Sequence, residues 1–126
     1  MASATRARSR GWTRPLGALA LLGVGLDHLE EYVVAHYSAI PKIGPLFLAN
    51  FAAATVLAVA FAVRGGRMLA IAGIAVSAGS LAALYVSEHG GLLGFAEAGY
   101  RPAIILAIGF EAAAIVVLAL DLVRRE

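Results

Sequence analysis

Four stretches of this chain, about 16–39, 45–63, 68–88 and 103–123, stay apolar for close to the length of a bilayer crossing. A spanning helix needs about 20 apolar residues at about 1.5 Å of rise each. In lipid every backbone polar group must be satisfied within the protein, so runs of this kind leave helices as the natural fold. A chain of 126 residues that is 61% hydrophobic cannot hide such surface in a soluble core, because small domains bury a limited fraction of their chain. The expected fold is therefore an all-α membrane protein, a bundle of four transmembrane helices in contact with the lipid bilayer. It is expected to be multi-pass and to reside in the plasma (cytoplasmic) membrane.

The breaks between the stretches carry their own chemistry. "IPKIGP" (40–45) holds two prolines, which stop the first helix and start the second. "RGGR" (64–67) is a glycine turn between the second and third helices. "HGGLLGFAEAGYRP" (89–102) is a longer loop whose Leu92, Leu93 and Phe95 are expected to rest among lipid headgroups. Pro102 suits the first turn of helix four.

Positive charge is divided unevenly between the two ends of the spans. Arg6, Arg8, Arg10, Arg14, Arg64, Arg67, Arg124 and Arg125 share one side, and only Lys42 and Arg101 fall on the other. The positive-inside bias then puts both termini in the cytoplasm, with Trp12 at the inner interface and Tyr37 and Tyr100 at the outer one. The same count explains the net charge of +2 without any nucleic-acid partner. Residues 1–14 read as a basic cytoplasmic segment without fixed structure, 15–123 as one domain, and 124–126 as a cytoplasmic tail. "RARSRGWTRPLGALALLGVGL" also has the basic start and apolar run of a signal peptide. The helical pattern continues past its small residues, and an even number of spans agrees with arginine at both ends, so an uncleaved first helix is the expectation. The absence of cysteine excludes disulfides and thiolate metal sites.

Helices associate in lipid through small residues. Ala54, Ala58 and Ala62 in the second helix, Ala75, Gly79 and Ala83 in the third, and Gly109 and Ala113 in the fourth are expected packing faces. Small-residue faces left over on a thin bundle would also suit a homo-oligomer or a larger membrane complex.

Function, if the sequence carries any, lies in "GLDHLEEYVVAH" (25–36), with five ionisable side chains in an otherwise apolar helix. At about 100° per residue, Asp27, His28, Glu31 and Tyr32 share one arc, while Leu19, Leu22, Leu26, Leu29, Val33 and Tyr37 form a lipid-facing stripe opposite. Glu30 falls outside the polar arc, placed to flank a neighbour or to extend outward. By helical rise Asp27 lies near the midplane, level with Glu111 of helix four running the other way. Asn50, Ser80 and Tyr85 fall in the same outer half. His36, Glu88, His89 and Glu97 mark its mouth. The inner half is apolar apart from Asp121, which can pair with Arg125 one turn on.

Ionisable groups inside a membrane are costly and mark function by default. On this reading no Lys or Arg lies at the depth of the cluster, and three means of neutralising it stay open: protonated acids, a cationic His28, or a bound metal or cationic ligand. A divalent metal on Asp27, His28, Glu31 and Glu111 has a plausible donor set, but the paired Glu-x-x-His motifs of di-iron bundles are missing. Haem is a weaker fit, since only His36 and His89 share a level. Nothing polar continues inward to complete a proton or cation channel. No nucleophile or phosphate-loop motif points to an enzyme.

"DHLEEYVVAHYSAIPKIGPLFLANF" (27–51) and "GLLGFAEAGYRPAIILAIGFE" (91–111) resemble a group of small four-span membrane proteins of actinobacteria. The resemblance rests on His28, on Ile40 to Leu48 at the start of helix two, on Gly91 to Glu97 in the loop, and on Glu111. It implies the same fold and origin, and it points to His28, Glu97 and Glu111. That family has no assigned activity, so no mechanism comes with it. Two functions follow as expectations: a membrane protein with an outward-facing acidic and histidine-bearing pocket for a cation, metal or small polar ligand, or a structural accessory subunit in which the polar cluster serves helix packing.

Overall fold

The computed structural model describes residues 11–125 and is all-α. Its helices are α1 (Thr13–Val33), α2 (Ile43–Arg64), α3 (Arg67–His89) and α4 (Pro102–Arg125), with a short 3₁₀ turn at Tyr37–Ala39. The three helices α2, α3 and α4 are long and apolar enough to cross a membrane. At 22 to 24 residues they reach about 33–36 Å. α1 is nearly as long, at 21 residues, but Arg14, Asp27, Glu30 and Glu31 make it the most polar of the four.

α1 ends sooner than its apolar pattern predicts, at Val33 rather than near residue 39. The left-handed backbone at His36 turns the chain out of the helix; Pro41 acts only on the residue before it, and Ile40 is extended, with φ −87° and ψ 116°. The chain between the helices turns twice through left-handed backbone, at His36 (φ 63°) and Lys42 (φ 67°). At the other end α1 begins at Thr13, inside the segment expected to lack structure. Arg6, Arg8 and Arg10 lie outside the described residues. The α2–α3 turn uses Gly65 and Gly66, both at positive φ (61° and 113°), where a side chain would be strained.

Each helix packs beside two neighbours, in the cyclic order α1–α2–α3–α4. Cross-helix pairs show the antiparallel register. Thr13 meets Asp121 and His28 approaches Glu111 across α1 and α4, while Arg14 meets the end of α2 and His28 meets Phe47 at its start. The end of the assembly nearest Gly65 is solid. Leu21, Phe61 and Leu118 are fully buried there among Ala18, Ala20, Ala58, Ala70 and Ala114. Polar groups at that end are paired. Asp121 accepts from Thr13 Oγ1 at 2.7 Å and from Arg125 Nε at 2.6 Å, the latter being the pair expected one turn along α4. Arg14 donates to the carbonyls of Ala62 and Val63 at the C-terminus of α2, and to that of Phe61, which also accepts from the Gly65 backbone N–H.

Small residues serve packing only in part as expected. Ala54 and Ala58 are buried, but Ala62 is exposed. On α3 the buried small residues are Ala70, Gly73 and Ser77, whereas Ala75, Gly79 and Ala83 line an open cavity. Gly109 and Ala113 face outward. Gly25, not singled out for packing, meets α2 closely: a Cβ there would stand 2.8 Å from Thr55 Oγ1 and 3.3 Å from the Phe51 carbonyl oxygen. The lipid stripe of α1 holds for Leu19, Leu26 and Val33, which are exposed, while Leu22 packs on the core. It fails at Tyr37, which is 7% exposed, because the helix on which its angle was counted has already ended.

Candidate functional site

The end of the assembly away from Gly65 is hollow. A cavity of about 420 Å³ lies between all four helices and is roofed by the loop before α4. α1 contributes Asp27, His28 and Glu31 to its wall, and α4 contributes Glu111. α2 and α3 contribute mainly apolar side chains, with Asn50, Ser80 and Ser87 among them. The loop adds Leu92, Phe95 and Glu97. Thus Leu92 and Phe95, expected among headgroups, turn inward; Leu93 alone of that trio is exposed among the large apolar residues. The Leu92–Phe95 backbone pair closes the tight turn that aims them.

Of the polar arc expected on α1, three members reach the cavity and Tyr32 does not. Glu30 is exposed, as its place on the helical wheel requires. His36, Glu88 and His89 do not line the cavity either. His36 is exposed at the left-handed turn after α1. His89 is exposed, stacks on Tyr85 at 4.2 Å and bonds the Tyr85 carbonyl oxygen through Nδ1. Glu97 is the member of that expected mouth that does line the wall.

The reading that no arginine lies at this depth is overturned by Arg101. Its guanidinium grips Glu31 with both nitrogens, Nη2 to Oε2 at 2.6 Å and Nη1 to Oε1 at 3.2 Å. Nη2 also donates to Tyr37 Oη at 2.7 Å, and Tyr37 Oη donates to Glu97 Oε2 at 2.5 Å. This clasp ties the segment after α1 to the loop before α4. Tyr37 is further held edge-on by Phe47 and Phe95, with centroids at 5.0 and 5.5 Å. Its phenol is pushed above the usual range by burial and then by its bond to Glu97. The Glu31 carboxylate, through its hydrogen bonds, raises Arg101 in turn. Position in the loop concealed the role of Arg101, because charge counting assigned it to the surface. The α1–α4 register could have found it: carrying the Thr13–Asp121 alignment along both helices sets Glu31 level with the first turn of α4, within reach of an arginine side chain.

Deeper in the cavity the pairing stops. His28 Nδ1 bonds the Val24 carbonyl oxygen at 2.8 Å, which fixes the ring and turns Nε2 toward Glu111 Oε1, 3.9 Å away. That gap exceeds a hydrogen bond. Glu111 is 2% exposed, and its Oε2 is buried with no partner. No described residue supplies Asp27 with a hydrogen bond or ion pair at this level, and Arg101 is engaged elsewhere. Asn50 Nδ2 donates to Ser80 Oγ at 2.5 Å, and Ser80 Oγ donates to the Val76 carbonyl. Since Ser80 spends its proton on Val76, Asn50 must face it with the amide nitrogen. Asn50 Oδ1 is thereby left buried and unsatisfied.

The expected metal set of Asp27, His28, Glu31 and Glu111 does not assemble. Both oxygens of Glu31 are held by Arg101, and among the described residues no three His, Asp or Glu side chains converge as a metal site would require. Comparison with family models, curated proteins and solved structures finds no match. What the site does must therefore be argued from its geometry.

Proposed function

We propose that this chain is a four-span protein of the cytoplasmic membrane, both termini inside, which binds a cationic ligand in a cavity at the outer end of the assembly. α1 is the fourth span on this reading, with Asp27 and Glu31 turned into the assembly rather than toward lipid and Glu30 left exposed. The eight-to-two division of basic residues supports the orientation, and it sets the hollow end outward and the solid end toward the cytoplasm. The single observation that carries the ligand reading is Glu111: a carboxylate 2% exposed, with one oxygen unpartnered, in the wall of a cavity large enough for a small molecule. Its partnered neighbour Glu31 has a structural explanation in Arg101. Asp27 and Glu111 do not, which favours a ligand over helix packing as the reason for them. The resemblance to small four-span actinobacterial proteins implies the same fold and is silent on the ligand.

The absence of native cysteine makes a direct test available. Ala83→Cys places a thiol in the cavity wall. A cationic ethylammonium thiosulfonate applied from outside should modify it at least fivefold faster than the anionic ethylsulfonate reagent, and Asp27→Asn with Glu111→Gln should level the two rates. Arg67→Cys should react from the cytoplasmic side alone. Equal rates at Ala83→Cys in the otherwise native chain, or access to it only from the cytoplasm, would refute the reading.

A further inference from the structure

We infer that the ligand of this cavity is a protonated primary amine carrying an apolar body, rather than a metal ion or a quaternary cation. The inference rests on the cation-binding reading above and names its chemical class.

The first observation is the direction of the hydrogen bonds. Donor atoms around the cavity are already engaged within the protein. His28 Nδ1 is spent on Val24, Asn50 Nδ2 on Ser80, Ser80 Oγ on Val76 and Ser87 Oγ on Leu84. At the rim Arg101 is spent on Glu31 and Tyr37, and Tyr37 on Glu97. What remain are mainly acceptors: Glu111 Oε2 and Asn50 Oδ1, both buried without partners, together with the Asp27 carboxylate. A wall rich in free acceptors is matched by a guest rich in donors. An ammonium group offers three N–H donors and a positive charge in one atom. A quaternary ammonium has the charge and no donor, and would leave the buried oxygens unsatisfied.

The second observation is the division of the wall. The charged groups stand on α1, α4 and the loop. The facing surfaces of α2 and α3 are built from side chains such as Leu46, Ala53, Val76 and Leu84. An inorganic cation would meet the charged half and leave this apolar half to water. An alkyl or aryl body of a few carbons fills it. Phe47, tilted against His28 with ring centroids 5.0 Å apart, and Phe95 present ring surfaces near the polar group, where a cation is favoured. The failure of three ligating side chains to converge argues against a metal from the same geometry.

The test uses the full chain in lipid nanodiscs and a series of n-alkylammonium ions from methyl to hexyl. Thermal stability and calorimetric titration should both report binding, with affinity rising about fourfold for each methylene that enters the apolar half. Tetramethylammonium, and trimethylalkylammonium ions of the same chain length, should bind at least tenfold more weakly. Glu111→Gln should weaken hexylammonium at least tenfold, while Glu30→Gln, an exposed acid outside the cavity, should leave it unchanged. Should Glu111→Gln fail to fold, Ala53→Leu, which fills the apolar wall and keeps every acid, should shorten the series by favouring methyl- over hexylammonium. Equal affinity for quaternary ions, no dependence on chain length, or a response to zinc or magnesium alone would overturn the assignment. So would the absence of any amine binding, with a proton on Glu111 as the sole occupant. If the thiol reagents show cation preference while the amines fail, the class is wrong and the cation site stands. If both fail, the site falls with it.

Discussion

Glu31 and Glu111 are both buried carboxylates on facing helices, and they differ in what neutralises them. Glu31 has a guanidinium bonded to both oxygens, and Glu111 has an imidazole nitrogen out of bonding range. Removing the guanidinium should therefore be costly for Glu31 in particular. Arg101→Ala is expected to destabilise the protein by about 1–3 kcal/mol, less than for a fully buried pair because the Arg101 side chain is 42% exposed and screened by solvent. Adding Glu31→Gln should recover part of that loss, since no charge is then left unpaired. A double-mutant cycle by thermal unfolding measures it, and strict additivity of the two changes would show that the pair is not coupled. The residues of this site were unequally legible in the sequence. Asp27, His28, Glu31 and Glu111 declared themselves by charge in an apolar context, and helical rise set Asp27 and Glu111 at one depth. Arg101 and Tyr37 did not, because each reaches the site from a non-helical segment in which neither rise nor rotation can be counted.

At the scale of helices, the spans were legible where apolar length alone decides. α2, α3 and α4 begin and end within two residues of the stretches read from the sequence. α1 was misjudged at both ends for different reasons. The left-handed turn at His36 ends the helix early, and at the other end Thr13 is held by a hydrogen bond to Asp121, over a hundred residues away. The choice of packing faces was also only half legible. Spacing of four identifies faces that can pack, but Ala75, Gly79 and Ala83 meet a cavity, and a close approach of α1 to α2 falls instead at Gly25. Gly25→Ala is expected to force α1 from α2 at Thr55 and the Phe51 carbonyl, costing about 1–3 kcal/mol. Thr55→Ala removes the nearer obstacle, so the Gly25→Ala, Thr55→Ala pair should be less destabilised than Gly25→Ala alone. Thermal unfolding of the three variants tests this, and an unchanged midpoint in Gly25→Ala would contradict the close contact.

For the molecule as a whole, the division into a solid end and a hollow end follows from where the large side chains are spent. Leu21, Phe61 and Leu118 fill one end, whereas at the other Leu46, Phe47, Val76 and Leu84 stand in the wall with Asp27, Glu31 and Glu111 and leave the centre open. The polarity of α1 then has a consequence for how such a protein is made. α1 is the first of the four helices to leave the ribosome and the one least suited to lipid by itself. Its stabilising contacts arrive late: the α2 carbonyls that engage Arg14 come next, and Arg101 and Asp121 come last. On the four-span reading, α1 cannot commit to the bilayer as an independent segment, and its final insertion waits for α4. A chain truncated after His89 should leave α1 only partly integrated, seen as protease or alkali sensitivity of a tag near residue 11, while the full chain should protect it. Complete integration of the truncated chain would show that α1 inserts unaided. On that reading the last quarter of the sequence would serve as an intramolecular chaperone for the first.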